Sequence, residues 1–199
     1  MYEFVDKADR YEVQTAYWDF LESEEEDAKK AIKALKKIIK KDPDFFDPYV
    51  TLSEYYEYAG DDMESFNILK EGYERAMKMV IHKGRFPDVL SWLFMENRHI
   101  IRMMYNYALK MWKIGEKDEA LRVMQQLLAS NPNDNIGARY GIVALLEGYE
   151  DMQSWEENFV SKSGYGLNAL EVEKWFEKHA KKYPEEIGCW FEMTQEDDL

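Results

Sequence analysis

The chain has 199 residues, 46% of them hydrophobic and 15% aromatic, which is enough for a well-buried core and too much for a disordered chain. A formal net charge of −14 gives an acidic surface that repels phosphate backbones, so nucleic-acid binding is not expected, whereas a basic partner is admitted. The single cysteine, Cys189, permits no internal disulfide and suits a reducing cytoplasmic setting; the charge-interrupted N-terminus is no signal peptide, and no apolar run reaches the ~18 residues of a membrane span.

Ten glycines and five prolines are few, and neither strand alternation nor a hairpin dipeptide recurs, so the chain reads as all-α. The first predicted helix covers residues 9–21; Tyr11, Val13, Tyr17, Trp18, Phe20 and Leu21 span so wide an arc that it is expected to pack on two sides. Ser23 with Glu26 has capping-box spacing and predicts a helix over 24–41. Its apolar stripe runs through Ala31, Leu35 and Ile38, with lysines off the stripe. A basic amphipathic helix suits an anionic membrane or a calmodulin-like partner, but the acidic first turn and basic last turn already complement the helix dipole, and we read the lysines as a solvated face. Helices follow over 46–59 and from Met63 to about Val80, divided by Gly60-Asp61-Asp62. Pro87 suits the first turn of another helix, expected to run on to Ile114 and to be core through Trp92, Leu93 and Phe94. After Gly115 a helix ends at Asn131-Pro132-Asn133, another spans 135–148, and a short one spans 151–160. The last strong helix covers 167–182, with Leu170, Trp175, Phe176, His179 and Tyr183 on one side. Trp190 and Phe191 are expected to dock on the body or on a second copy, as a homodimer.

Two segments share a pattern. Counted from Phe46, Tyr49, Leu52, Ser53, Tyr56, Gly60, Ser65, Leu69 and Gly72 fall at positions 4, 7, 8, 11, 15, 20, 24 and 27 of a 34-residue unit. Counted from Ile101, the same positions hold Met104, Tyr107, Ala108, Met111, Gly115, Ala120, Met124 and Leu127. Large residues occupy the large positions and small ones the small positions, which resembles the tetratricopeptide repeat (TPR), a helix-turn-helix unit. Residues 12–45 match only in their second half, and residues 135–160 match only after a one-residue deletion. The string NPNDNIGARYG is similar to junctions in bacterial TPR proteins of unassigned function and implies no activity. The resemblance implies a TPR-like α-α superhelix forming one domain over 1–199, with units at 12–45, 46–83, 101–134 and 135–160 and a capping helix at 167–182.

No catalytic constellation stands out. His82, His99 and His179 match no zinc spacing, no Gly-rich phosphate loop or G-x-S-x-G elbow occurs, and no cofactor or metal is expected. In the TPR family first helices line a concave groove that takes a peptide or protein segment. The resemblance therefore implies an interaction scaffold or adaptor, not an enzyme, with groove positions at Asp47, Val50, Glu54, Glu57 and Tyr58, and at Arg102, Tyr105, Leu109, Trp112 and Lys113. Asn106 borders that groove. The family's clamp for chaperone tails requires Lys and Asn where Val50 and Glu54 stand, so it is not expected here. We take Asp47, Glu54, Glu57 and Tyr58 as one wall and Arg102, Tyr105, Asn106 and Trp112 as the other, although Tyr105, Leu109 and Trp112 would equally serve as core. The alternative is an all-helical enzyme or small-ligand protein whose site is assembled from distant residues such as the histidines.

Overall fold

A computed structural model describes residues 1–196, apart from 26, 132, 162, 163 and 165, with side chains as far as Glu192. The described residues are helical, linked by irregular segments with isolated bridges only and no strand. None of the described helices is long and apolar enough to cross a membrane. The chain divides into two compact units, Met1–Tyr107 and Ala108–Leu199.

In the first unit α1 (Tyr11–Glu22), α2 (Ala28–Lys41), α3 (Asp47–Tyr58) and α4 (Asp62–Val80) pack each on the next. Val13, Tyr17, Leu35, Ile38, Phe45, Leu52 and Tyr56 form their shared core. The apolar arc of α1 is narrower in space than in sequence. Val13 and Tyr17 are buried, but Tyr11, Trp18 and Leu21 are exposed, so α1 does not pack on two sides. Ser23 does not open α2: it ends α1, its hydroxyl donating to the Phe20 carbonyl, and Asp27 caps α2 by accepting from the Lys29 and Lys30 N–H groups. The expected partner Glu26 lies outside the described residues. The lysines of α2 are exposed.

The turn after α3 is fixed by two hydrogen bonds, Gly60 N–H to the Glu57 carbonyl (2.9 Å) and Asp61 N–H to the Tyr56 carbonyl (2.8 Å). This Schellman arrangement needs a left-handed residue, and Gly60 supplies it at φ 78° without a Cβ clash. The same pair of bonds recurs at Gly115 and Gly148. The small residues of the Phe46 segment lie where helices cross. Ser53 and Ser65 are buried and share a 2.9 Å hydroxyl hydrogen bond between α3 and α4. A Cβ on Gly72 would stand 3.2 Å from Tyr49 Cβ and 2.5 Å from Met103 Sδ. Tyr73 stacks on Tyr107, ring centroids 3.9 Å apart and planes 3° from parallel.

No helix begins at Pro87. After α4 the chain turns through a bridge between His82 and Arg85, and residues 88–89 are tied to the N-terminus: Asp88 N–H donates to the Tyr2 carbonyl and Phe4 N–H to the Val89 carbonyl. Backbone groups committed to another segment cannot enter a helical ladder, so helix resumes only as a short 3-10 turn at Met95–Asn97 and then as α5 (Arg98–Lys113). Leu93 is 72% exposed, contrary to its expected place in a core helix.

In the second unit α6 (Lys117–Ser130) packs on α7 (Ala138–Leu146). Ala108 and Ala120 are both fully buried. Helix α7 starts three residues later than expected. Asp134, left-handed at φ 45°, reaches past a turn to accept from Ala138 N–H (2.7 Å) and Arg139 N–H (3.0 Å). Short α8 (Met152–Glu156) follows, then α9 (Ala169–His179), where Phe176 is buried but Leu170 is exposed, against expectation. Trp190 and Phe191 lie on α10 (Pro184–Glu196), where Trp190 meets Phe176 edge-on at 5.1 Å.

Gly72→Ala tests the crossing. Alanine favours the helix by about 1 kcal/mol, but Tyr49 Cβ cannot retreat without moving α3. Urea unfolding is expected to show a net loss of about 1–2 kcal/mol; equal or greater stability would mean that the crossing is looser than described.

Candidate functional site

The first unit contains a cleft of about 630 Å³. Its walls are one face of α1, with Trp18 and Leu21, the face of α3 that carries Asp47, Val50 and Glu54, and the start of α5 with Arg98 and Arg102. The α1 and α3 walls are pinned together by a 2.6 Å hydrogen bond between the Tyr17 and Thr51 hydroxyls. Burial pushes the Tyr17 hydroxyl up to about 12, and the charges of Asp47 and Glu54 add to the effect.

The carboxylates of α3 differ in how they are satisfied. Asp47 receives both arms of Arg102, Nε at 2.7 Å and Nη2 at 2.5 Å, a bidentate pair that fixes α3 against α5. Glu54 has no ion-pair partner among the described residues; partial desolvation in the cleft, helped by the like charge of Glu57, holds its carboxyl above the usual range although the residue as a whole is exposed. Arg98 rests on Trp92, Nε donating to the Trp92 carbonyl at 3.0 Å and the guanidinium 5.1 Å from the ring centre.

Behind the cleft lies a buried polar network. Phe46 N–H donates to His99 Nδ1 at 3.2 Å, so Nε2 carries the hydrogen and donates to Asp6 at 3.1 Å. Asp6 also accepts from Arg10 Nε at 2.7 Å, and Arg10 continues to Asp42. Asn97 accepts from Asp6 N–H (3.0 Å) and donates to the Phe4 carbonyl (2.9 Å). The His99 ring stacks on Phe46 at 5.1 Å. Burial pushes the Asp6 carboxyl up, but hydrogen bonds from His99, Arg10 and the Ala8 N–H outweigh it and leave the group at about 2.

Of the residues read from sequence as a binding surface, the structure brings Asp47, Glu54 and Arg102 to this cleft. Tyr58 is exposed on α3 and Glu57 half-buried, and neither lines the cleft. Asn106 donates back to the Arg102 carbonyl at 2.8 Å. Tyr105 is core at 8% exposure, not wall. Trp112 is fully buried in the second unit, its Nε1 donating to the Tyr149 carbonyl. Sequence reasoning missed the α1 wall, because Trp18 and Leu21 were placed in a two-sided core. The repeat pattern carries no signal for them: counted from Glu12, Trp18 and Leu21 fall at positions 7 and 10, off the groove positions that Asp47, Val50 and Glu54 occupy in their unit.

In the second unit Glu147 gathers His179 Nδ1 (2.5 Å), Lys182 (2.8 Å) and the Tyr183 hydroxyl (2.7 Å). Burial raises the Glu147 carboxyl, and these three donors bring it down to about 2. His82 is exposed. Among the described residues no three His, Cys, Asp or Glu side chains stand together as a metal site. Burial pushes the Cys189 thiol up, which keeps it protonated at neutral pH. In comparisons with known proteins, no family model, no curated protein and no solved structure matches the chain.

The Asp6 network has a pH signature. A carboxyl whose folded pKa is depressed stabilises the fold above its ordinary value, and that contribution disappears as pH falls from about 4 through about 2. Asp6→Asn is expected to cost about 1.5–3 kcal/mol at pH 7, since it takes from the buried Arg10 one of its two carboxylates and leaves Asp42 as the other, and to flatten the acid limb of the stability profile. An unchanged acid limb in Asp6→Asn, read by urea unfolding at pH 2 to 7, would assign that limb to other carboxylates.

Proposed function

We propose that the chain is a TPR-like interaction module, an adaptor of the cytosol, and that its first unit takes an extended peptide or protein segment in the cleft between α1, α3 and the start of α5. The observation that carries this reading is the cleft itself, whose rim exposes Trp18 at 61% and Leu21 at 38% beside the unpaired carboxylate of Glu54. Large apolar side chains left in water next to a recess are what a folded chain retains for a partner. The volume is in the range of a site for a few side chains rather than for a domain.

Several features support the TPR-like part. All the repeat positions of the Phe46 and Ile101 segments other than their turn glycines are buried. The Schellman turns at Gly60, Gly115 and Gly148 close α3, α5 and α7 in the same way, and the last two lie 33 residues apart, one short of the 34-residue unit. Two of the three helices lining the cleft, α3 and α5, are those that the repeat pattern designates as first helices.

The test is selection of twelve-residue peptides from a random display library on the intact chain, followed by affinity measurement on synthetic copies. Trp18→Ala and Thr51→Arg, the second placed to fill the cleft, are each expected to weaken the selected peptides by about tenfold or more while circular dichroism stays unchanged. Peptides that bind both variants as well as the parent would put the binding surface elsewhere.

A further inference from the structure

We propose that the segment taken by this cleft presents an arginine, its guanidinium laid over Trp18 and paired with the Glu54 carboxylate. The proposal rests on the peptide-binding reading above and adds the chemistry of the anchor.

The charges of the cleft are unequally satisfied. Asp47 is neutralised by both arms of Arg102. Arg98 is held by the ring and the carbonyl of Trp92. His99 commits both ring nitrogens to the network behind the wall. Glu54 and Glu96 form no ion pair among the described residues, and Glu57, one turn along α3 from Glu54, adds to the negative potential there. An isolated carboxylate in a recess gains more from an incoming cation than a fully solvated one does, because the walls exclude part of the competing water.

The geometry next to Glu54 favours arginine over lysine. The Tyr17–Thr51 hydrogen bond brings the α1 and α3 walls together one residue before Trp18 and three before Glu54. A planar guanidinium can stack on the exposed indole and still direct its N–H fork at a carboxylate, whereas a compact ammonium is solvated strongly and stacks poorly. The chain uses this pairing internally at Arg139, which lies 4.1 Å from the Tyr140 ring centre and pairs with Asp134 at 3.0 Å, a closer approach to its ring than the 5.4 Å of Lys36 to Tyr56. Leu21 and Met95 at the rim offer apolar seats for the residues flanking the arginine.

The experiment uses the peptides selected on the intact chain whose binding depends on Trp18 and Thr51. They are expected to share an arginine, and replacing it with citrulline, which keeps the planar shape and removes the charge, should weaken binding about tenfold or more. Glu54→Gln should abolish the difference between the arginine and citrulline forms. Raising the salt from 50 to 500 mM should weaken only the arginine form. Cleft-dependent peptides without arginine, or a citrulline form that binds within twofold of its parent, would overturn the arginine anchor and leave the peptide-binding reading standing. Peptides indifferent to Trp18 and Thr51 would overturn both. Should Glu54→Gln fail to fold, the arginine–citrulline comparison on the unaltered chain decides alone.

Discussion

The first unit depends on one buried carboxylate. Asp6 receives His99, Arg10 and its own turn, and through them it fixes the positions of three separate elements: the N-terminal segment, the start of α3 through Phe46 N–H, and the start of α5. An isolated carboxylate at 7% exposure would cost several kcal/mol to bury, and a half-satisfied network would be worse than an apolar plug. Here the donors and acceptors answer one another, so the cost is offset only when all three elements are in place. That makes the network a selector of one arrangement more than a source of net stability. The cleft is one product of that selection, since His99 and Phe45 form part of its lining and their rings meet at a tilt, centroids 5.5 Å apart.

Much of the local architecture was legible in the sequence. Periodicity located most of the helices, though not α10, whose Trp190 and Phe191 read only as an apolar knot, and the repeat template placed the buried small residues, Ser53, Ser65, Gly72, Ala108 and Ala120, because steric demand at a helix crossing is written directly into side-chain size. Turn chemistry was equally plain at Gly60 and Gly115, where the backbone requires a left-handed residue. What failed was the stretch from 82 to 97. Its helix-like run of apolar residues was overruled by hydrogen bonds to Tyr2 and Phe4, about 86 residues away in the chain, and no local rule carries that information.

The cleft was half legible for a related reason. The residues of α3 share a face by spacing alone, so Asp47 and Glu54 could be named in advance. Whether a residue on the matching face of α5 meets water or core is a tertiary fact. Arg102 reaches the cleft, whereas Tyr105, three residues on, does not. Trp18 went the other way. A tryptophan in a helix is core by default, and here it stands out because α1 has one packed face.

The separation of Asp6 from His99 also has a temporal side. The two are 93 residues apart, and a ribosome adds about 5–20 residues per second, so roughly 5–20 s pass between their synthesis. Helices α1 to α4 can pair in that interval through short-range contacts, and Arg10 can already meet Asp6 and Asp42, but Asp6 must wait for His99 and Asn97 with part of its hydration kept. Closure of the unit is thus the latest step available to it, and a nascent chain halted before His99 would display the α3 start, Phe46 among it, to whatever binds unfinished proteins.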